Sequence, residues 1–320
     1  MEGGRSSARI VLWALLWAGP ACAGELALEV VHPDGAWCWF QDERALVVSN
    51  RLVAASVTRA GRLEVTQLDL ATGVRATALL HDGFEPDDHN APALVRRPDG
   101  HLAAFYTRHH QDALMRMRVS ERPDDATAWQ AERAFDAEVP QKFTYANPFA
   151  FPAEPGRLHL FWRGLRFHPT WSTSDDGGLT WSRGRLLLWN RAGARPYVKY
   201  VSDGRDTLHL FFTDAHPGEG LPSLHHAFLR NGVLHRSDGR PIRTWGAGPP
   251  GVGRTTRIFN GRAGEGVAWV WDGALDAQGR PVVVYTAHRN PRDIRYRYAR
   301  WDGAAWRDQE IARAGSSLPG

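Results

Sequence analysis

The chain has 320 residues, 43% of them hydrophobic, which is enough for a substantial core and excludes an extended, unfolded polypeptide. Its formal net charge is +4, carried almost wholly by arginine, since Lys142 and Lys199 are the only lysines. That mild excess favours anionic partners, but no basic run is interleaved with aromatics as in a nucleic-acid groove, so DNA and RNA are not expected as partners.

The N-terminus reads as a secretory signal peptide over residues 1–23, followed by one domain over 24–320. Arg5 and Arg9 form the charged region, Ile10 to Trp17 the apolar stretch, and Ala21-Cys22-Ala23 the small-residue cleavage site. The apolar stretch is too short to span a membrane. Gly19 stands where a lipoprotein signal wants Leu, so a secreted or periplasmic protein is expected rather than a lipoprotein. Cleavage would leave Cys38 as the only cysteine and exclude an intrachain disulfide. Cys38 lies in Trp37-Cys38-Trp39-Phe40, the setting of a buried, inert thiol, with metal ligation as the alternative.

Beyond the signal, short alternating strands separated by Gly, Pro and Asp turns replace helical periodicity. Ala45–Asn50, Leu52–Val57 and Leu63–Leu70 open the series. Asp87-Asp88-His89-Asn90 then precedes the turn Arg97-Pro98-Asp99-Gly100 and the strand from His101, which ends in Tyr106-Thr107-Arg108-His109-His110. One β excursion therefore brings two histidine segments close, and imidazole suits proton transfer near neutral pH.

The turn-plus-strand unit from Pro98 to Tyr106 recurs at Pro155 to Trp162, at Asp203 to Phe212 and at Gln278 to Tyr285. Each copy is an apolar strand ending in aromatics and followed by a polar residue: His109, Arg163, His216 and His288. Second strands follow at Leu114–Ser120, Thr170–Ser174, Ser223–Arg230 and Ile294–Trp301. A repeat of roughly fifty residues is the length of a propeller blade. Equivalent strand ends converge at one face of a propeller, so these four polar residues are expected to line a common cleft.

Ser174-Asp175-Asp176-Gly177-Gly178-Leu179-Thr180-Trp181 resembles the Asp-box of sialidase-type propellers, a structural hairpin turn. Five further segments resemble the BNR-repeat family, which includes the propeller-fold ulvan lyases. They are Trp37-Cys38-Trp39-Phe40-Gln41-Asp42, Asp87-Asp88-His89-Asn90, Arg195-Pro196-Tyr197-Val198-Lys199-Tyr200, Phe212-Thr213-Asp214-Ala215-His216-Pro217 and Trp269-Val270-Trp271-Asp272. The resemblance runs from about Trp37 to Ile311. It implies an all-β propeller of four-stranded blades, seven in the family. The chain ending at Gly320 supplies only about five to six blades at roughly fifty residues each, so a shorter variant or a C-terminal truncation is expected.

The resemblance also implies a lyase that cleaves uronic-acid-containing polysaccharide by β-elimination, with two histidines, a tyrosine and an arginine at its site. These map to His89, His109, Tyr145 and Arg163. Asn90, His110, Arg195, Tyr197 and Tyr200 are expected on the substrate side. Arg163 suits the uronate carboxylate; a histidine or Tyr145 would move the protons, in an order the sequence leaves open. No cofactor is required, although a structural zinc or calcium is left open, with Cys38 and His216 as ligands, joined by His225 or His288. The expected partner is an anionic polysaccharide and the expected state a monomer.

Two rivals stand beside this reading. Glycoside hydrolysis on the same fold would use Arg163, Arg195 and Arg257 as a sialidase-like triad, or a carboxylate pair drawn from Asp87, Asp88 and Asp272. A non-catalytic propeller would bind glycans on some of the 14 tryptophans.

Overall fold

A computed structural model describes residues 29–109, 111–191 and 193–316. The signal segment, Cys22 and His110 lie outside these residues. Val31 onward forms one unit. Among the described residues it is all-β: five antiparallel sheets follow one another in sequence, and the helical content is three single 3-10 turns, at Asp88–Asn90, Leu165–Phe167 and Val252–Arg254.

Blade 1 is the meander Ala45–Val48, Arg51–Val57, Leu63–Asp69 and Arg75–His81. Blade 2 runs Ala93–Arg96, Leu102–Tyr106 and Met115–Arg122, with an outer edge split between Asp125–Trp129 and Arg133–Phe135. Blade 3 comprises Thr144–Ala150, Leu158–Arg163, Pro169–Ser174 and the short Arg185–Leu186. Blade 4 has Tyr197–Ser202, Thr207–Thr213 and Leu224–Arg230; Val233–His235 and Thr256–Phe259 each pair half of the last strand, and Pro241–Thr244 lies outside. Blade 5 is Val267–Leu275, Pro281–Asn290, Asp293–Trp301 and Trp306–Gly315. The fold is a β-propeller, as expected, and the described residues hold five of its blades.

The strand period of two explains how the blades hold together. In Leu102–Tyr106 every residue is buried. Leu102, Ala104 and Tyr106 pack on Val53, Val65 and Leu94, whereas Ala103 and Phe105 face Met117, Leu158 and Trp162. Thr207–Thr213 repeats the device: Leu208, Leu210 and Phe212 meet Phe149, Phe161 and Trp171, while Phe211 turns to Val270 and Tyr285. Second strands therefore read as nearly continuous apolar runs, because both faces are covered. Each such buried aromatic contributes roughly 1.5–3 kcal/mol.

The 174–181 turn is a structural clip between blades 2 and 3. The Asp176 carboxylate accepts from the amides of Leu179 and Thr180 at 3.0 and 2.9 Å, and Ser174 Oγ accepts from the Gly178 amide at 2.8 Å. Gly178 has φ +93°, and a Cβ there would meet Met117 Cε at 2.6 Å, so only glycine lets the turn approach blade 2. Trp181 stacks on Phe135 at 4.9 Å.

Candidate functional site

The polar centre begins where blade 2 begins. Asp87 caps the 3-10 turn that carries His89, accepting its amide at 2.9 Å. The turn feeds Ala93–Arg96, which pairs with Leu102–Tyr106, and His109 follows that second strand directly. The hairpin thus brings both histidines to one end of the blade. Their rings stack with centroids 3.9 Å apart and planes 8° from parallel.

One carboxylate holds both rings. His89 Nδ1 lies 2.7 Å from Asp87 Oδ1, and His109 Nδ1 lies 2.8 Å from Asp87 Oδ2. Asp88 Oδ1 is a second partner for His89 Nδ1, at 2.7 Å. A carboxylate accepts only, so each Nδ1 carries the proton, and each neutral ring keeps its lone pair on Nε2. Asn90 fixes the other end: its Oδ1 accepts from the His109 amide at 2.6 Å.

The two rings diverge electrostatically. Burial pulls His89 down, but the hydrogen bonds and charges of Asp88 and Asp87 outweigh it and hold the ring above its usual 6.5. Burial likewise lowers His109; Asp87 opposes this, but the charges of His89 and Arg163 leave it below 6.5. Burial raises Asp87, yet its bonds to the His89 amide and both rings bring it below its usual value. Two stacked imidazoles with opposed proton affinities are suited to paired acid and base work.

Blades 3 and 4 supply the other wall. Tyr145 sits at a bulge in Thr144–Ala150 with φ +63°, its carbonyl accepting from Asn147 Nδ2 at 2.8 Å. Its ring lies 5.4 Å from that of His89. Arg163 ends the second strand of blade 3; its guanidinium lies 4.7 Å over Tyr145 and 5.4 Å over Tyr197, and donates to Tyr197 Oη at 3.1 Å. Burial holds the Tyr145 phenol far above its usual value, so it keeps its proton. His216 lies 5.5 Å from Tyr197 and 5.3 Å from Trp269, which in turn reaches His288. His109, Arg163, His216 and His288 therefore join one continuous cluster.

Residues 37–42, before blade 1, tie this cluster together from within. Trp39 stacks on Trp271 at 4.9 Å, and Phe40 touches both Tyr145 and Tyr197. Gln41 Nε2 donates to the His89 carbonyl, and the Asp42 amide to Asn147 Oδ1. Lys199, fully buried, donates to the Trp39 carbonyl and to Asp42 Oδ1 at 2.9 Å, with Asp272 Oδ1 3.4 Å away. Burial raises Asp42, and the Lys199 ammonium pulls against it.

Several expected roles change with this geometry. Asn90 is 0% exposed and serves to position His109, because both ends of its amide are engaged within the protein. Tyr200 is buried rather than open to substrate: its ring packs against Phe149 and Phe161 between blades 3 and 4, while it borders a small cleft shared with Tyr145, Arg163 and Tyr197. Arg195 is tied to Glu219 at the periphery, where its charge helps burial lower His216. Arg257 is exposed on Thr256–Phe259 of blade 4, and Asp272 pairs with Arg44 and Lys199. Sequence reasoning missed Lys199, Gln41 and the bridging part of Asp87. The four carbons of a buried lysine look like any strand residue until its partners, over 150 positions away, are in place.

The metal assignment also moves. Cys38 is buried among Phe40, Tyr285 and Ala299, and burial pushes its thiol up to about 12, which disfavours the thiolate a metal needs. Among the described residues the one group with metal-ligand spacing is Asp87, His89 and His109, whose donor atoms lie within 4.8 Å of one another. Its three members already satisfy each other as proton donors and acceptor, so an ion there would displace both Nδ1 protons.

No curated protein sequence matches the chain. Among solved structures it is similar to an ulvan lyase of a polysaccharide lyase family bound to -[GlcA(1-4)Rha3S]-, with TM-score 0.67 and 17% identity over 87% of this chain and 72% of that one. An ulvan lyase structure without that fragment in its description gives 0.66 and 17% over 90% and 73%. A lectin from Burkholderia pseudomallei gives 0.50 and 14% over 86% and 68%. At these identities the similarity is one of fold. The sequence model of the BNR repeat-containing family matches residues 37–314, nearly all of the described chain. With the blades and their repeat already visible, that match places the chain in the BNR repeat-containing family.

Proposed function

We propose that the chain is an exported, polysaccharide-active propeller that cleaves a uronic-acid-containing polymer by β-elimination. The observation that carries this reading is the stacked His89–His109 pair on a single Asp87, facing Tyr145 and Arg163. The likeness of fold to an ulvan lyase supports it.

In this reading Arg163 receives the uronate carboxylate through paired N–H donors and withdraws charge from it, which acidifies the C5 proton. His109, held neutral, takes that proton on Nε2. The C5 electron pair forms the C4–C5 double bond as the C4–O bond breaks. Tyr145, protonated and beside His89, gives its proton to the departing oxygen. His89 keeps its own proton and stabilises the negative charge that develops on the carboxylate. A positioned base and acid are each worth roughly 10²–10⁴-fold.

The test is incubation with ulvan and other uronate polymers while following the ultraviolet absorbance of an unsaturated uronate. The expected result is growth of that absorbance together with new reducing ends. Reducing ends without it would replace elimination by hydrolysis, and retention without product would replace catalysis by binding.

A further inference from the structure

Away from the histidine centre, the outer strands of blades 3 and 4 enclose a groove of about 450 Å³. Arg185 lies on the last strand of blade 3, and Arg183 just precedes it. Arg243 lies on Pro241–Thr244, the outermost strand of blade 4. Trp171 and Trp245 form the floor, 4.0 Å apart and nearly perpendicular. Among the described residues no carboxylate lines this groove.

The three arginines are exposed, and among the described residues none is paired with an acid. Arg243 donates to the Ala247 carbonyl at 2.7 Å, which fixes its direction. The Arg185 guanidinium lies 6.0 Å from the Trp171 ring and against the backbone at Gly246, bridging the two blades. Several other surface arginines are neutralised by neighbours, as in Arg157 with Asp175 or Arg96 with Asp124. Here three positive charges converge on an aromatic floor without that compensation. Indole suits the apolar face of a sugar ring, and guanidinium suits sulfate or carboxylate.

We infer that this rim groove is a second binding site, separate from the histidine centre, that takes one anionic sugar unit of a sulfated or uronate polysaccharide. It needs no turnover and does not depend on the lyase reading.

The test uses the His89→Ala chain, to avoid cleavage, and titration calorimetry at fixed salt with three polymers: chondroitin sulfate, hyaluronan and neutral dextran. Arg183→Ala/Arg185→Ala/Arg243→Ala is expected to weaken chondroitin sulfate at least about tenfold, with an unchanged melting temperature. Hyaluronan, carrying carboxylates alone, separates carboxylate from sulfate recognition: either polymer losing affinity supports the site and names its anion. Trp245→Phe, which leaves charge unchanged, is expected to weaken binding several-fold. A matched triple replacement of the exposed Arg59, Arg205 and Arg292 controls for net charge and is expected to leave affinity near that of the parent. Equal loss in that control, equal binding of dextran, or parental affinity of the rim variant for both anionic polymers would each overturn the inference.

Discussion

Asp87 is a hinge of the chemistry although it touches no reacting atom in the proposed step. Its two oxygens set the tautomer of both imidazoles, and its charge favours the protonated form of each. Two limbs of a pH profile follow. His109 must be neutral to act as base, and it sits below 6.5, so activity is lost as pH falls through a value under 6.5. His89 must hold its proton, and it sits above 6.5, so activity is lost as pH rises through a value above 6.5. Asp88 gives the larger lift to His89 and Asp87 the remainder, so Asp87→Asn removes part of it; the alkaline limb of kcat/KM should move to lower pH and kcat fall by roughly a hundredfold. An unshifted limb with lowered kcat would reduce Asp87 to a structural part. The metal alternative has its own check: EDTA is expected to leave turnover and melting temperature unchanged, and loss of activity restored by zinc would reassign the triad to a cation.

At the scale of elements, the segment 37–42 and the bulge at Tyr145 matter more than any blade. Tyr145 holds a left-handed backbone, a cost of roughly 1–3 kcal/mol, and Asn147 stabilises it by bonding both the Tyr145 carbonyl and the Asp42 amide. Asn147→Ala should therefore lower turnover with little change in secondary structure by circular dichroism. Lys199→Met leaves Asp42 buried without its cation and is expected to cost about 3–5 kcal/mol in urea unfolding; adding Asp42→Asn should recover part of it. Blade strands were readable because alternation and turn residues are local, as in Pro98–Tyr106 and its three echoes. The convergence of His109, Arg163, His216 and His288 was readable too, because repeat phase converts spacing into position. The burial of Tyr200 and of Asn90 and the anchoring by Lys199 were not, since each depends on which neighbour covers a given face. That a group with metal-ligand spacing lies at Asp87, His89 and His109 was not legible for the same reason, and nothing local to Cys38 tells how far burial suppresses its thiolate.

At the scale of the molecule, blade 4 carries a titratable weakness. His209 and His226 are buried and joined at 3.1 Å; burial lowers His209 to about 4 and holds His226 well below its usual value. Unfolding restores ordinary imidazoles near 6.5, so the unfolded chain binds more protons below that value and stability falls as pH drops from 6.5 toward 4. His209 alone accounts for roughly 3 kcal/mol of that loss. Melting temperature against pH should show the slope, and His209→Leu should flatten it. The central segment has a different consequence, one of timing. Trp39, Phe40, Gln41 and Asp42 meet partners in the His89 turn and in blades 3, 4 and 5, up to Trp271. This segment ahead of blade 1 thus finds its place only after nearly all the rest exists, and contacts of such sequence separation form slowly. During refolding, the tryptophan signal of individual blades should recover before catalysis does, and enzymatic activity should report the closing event of assembly.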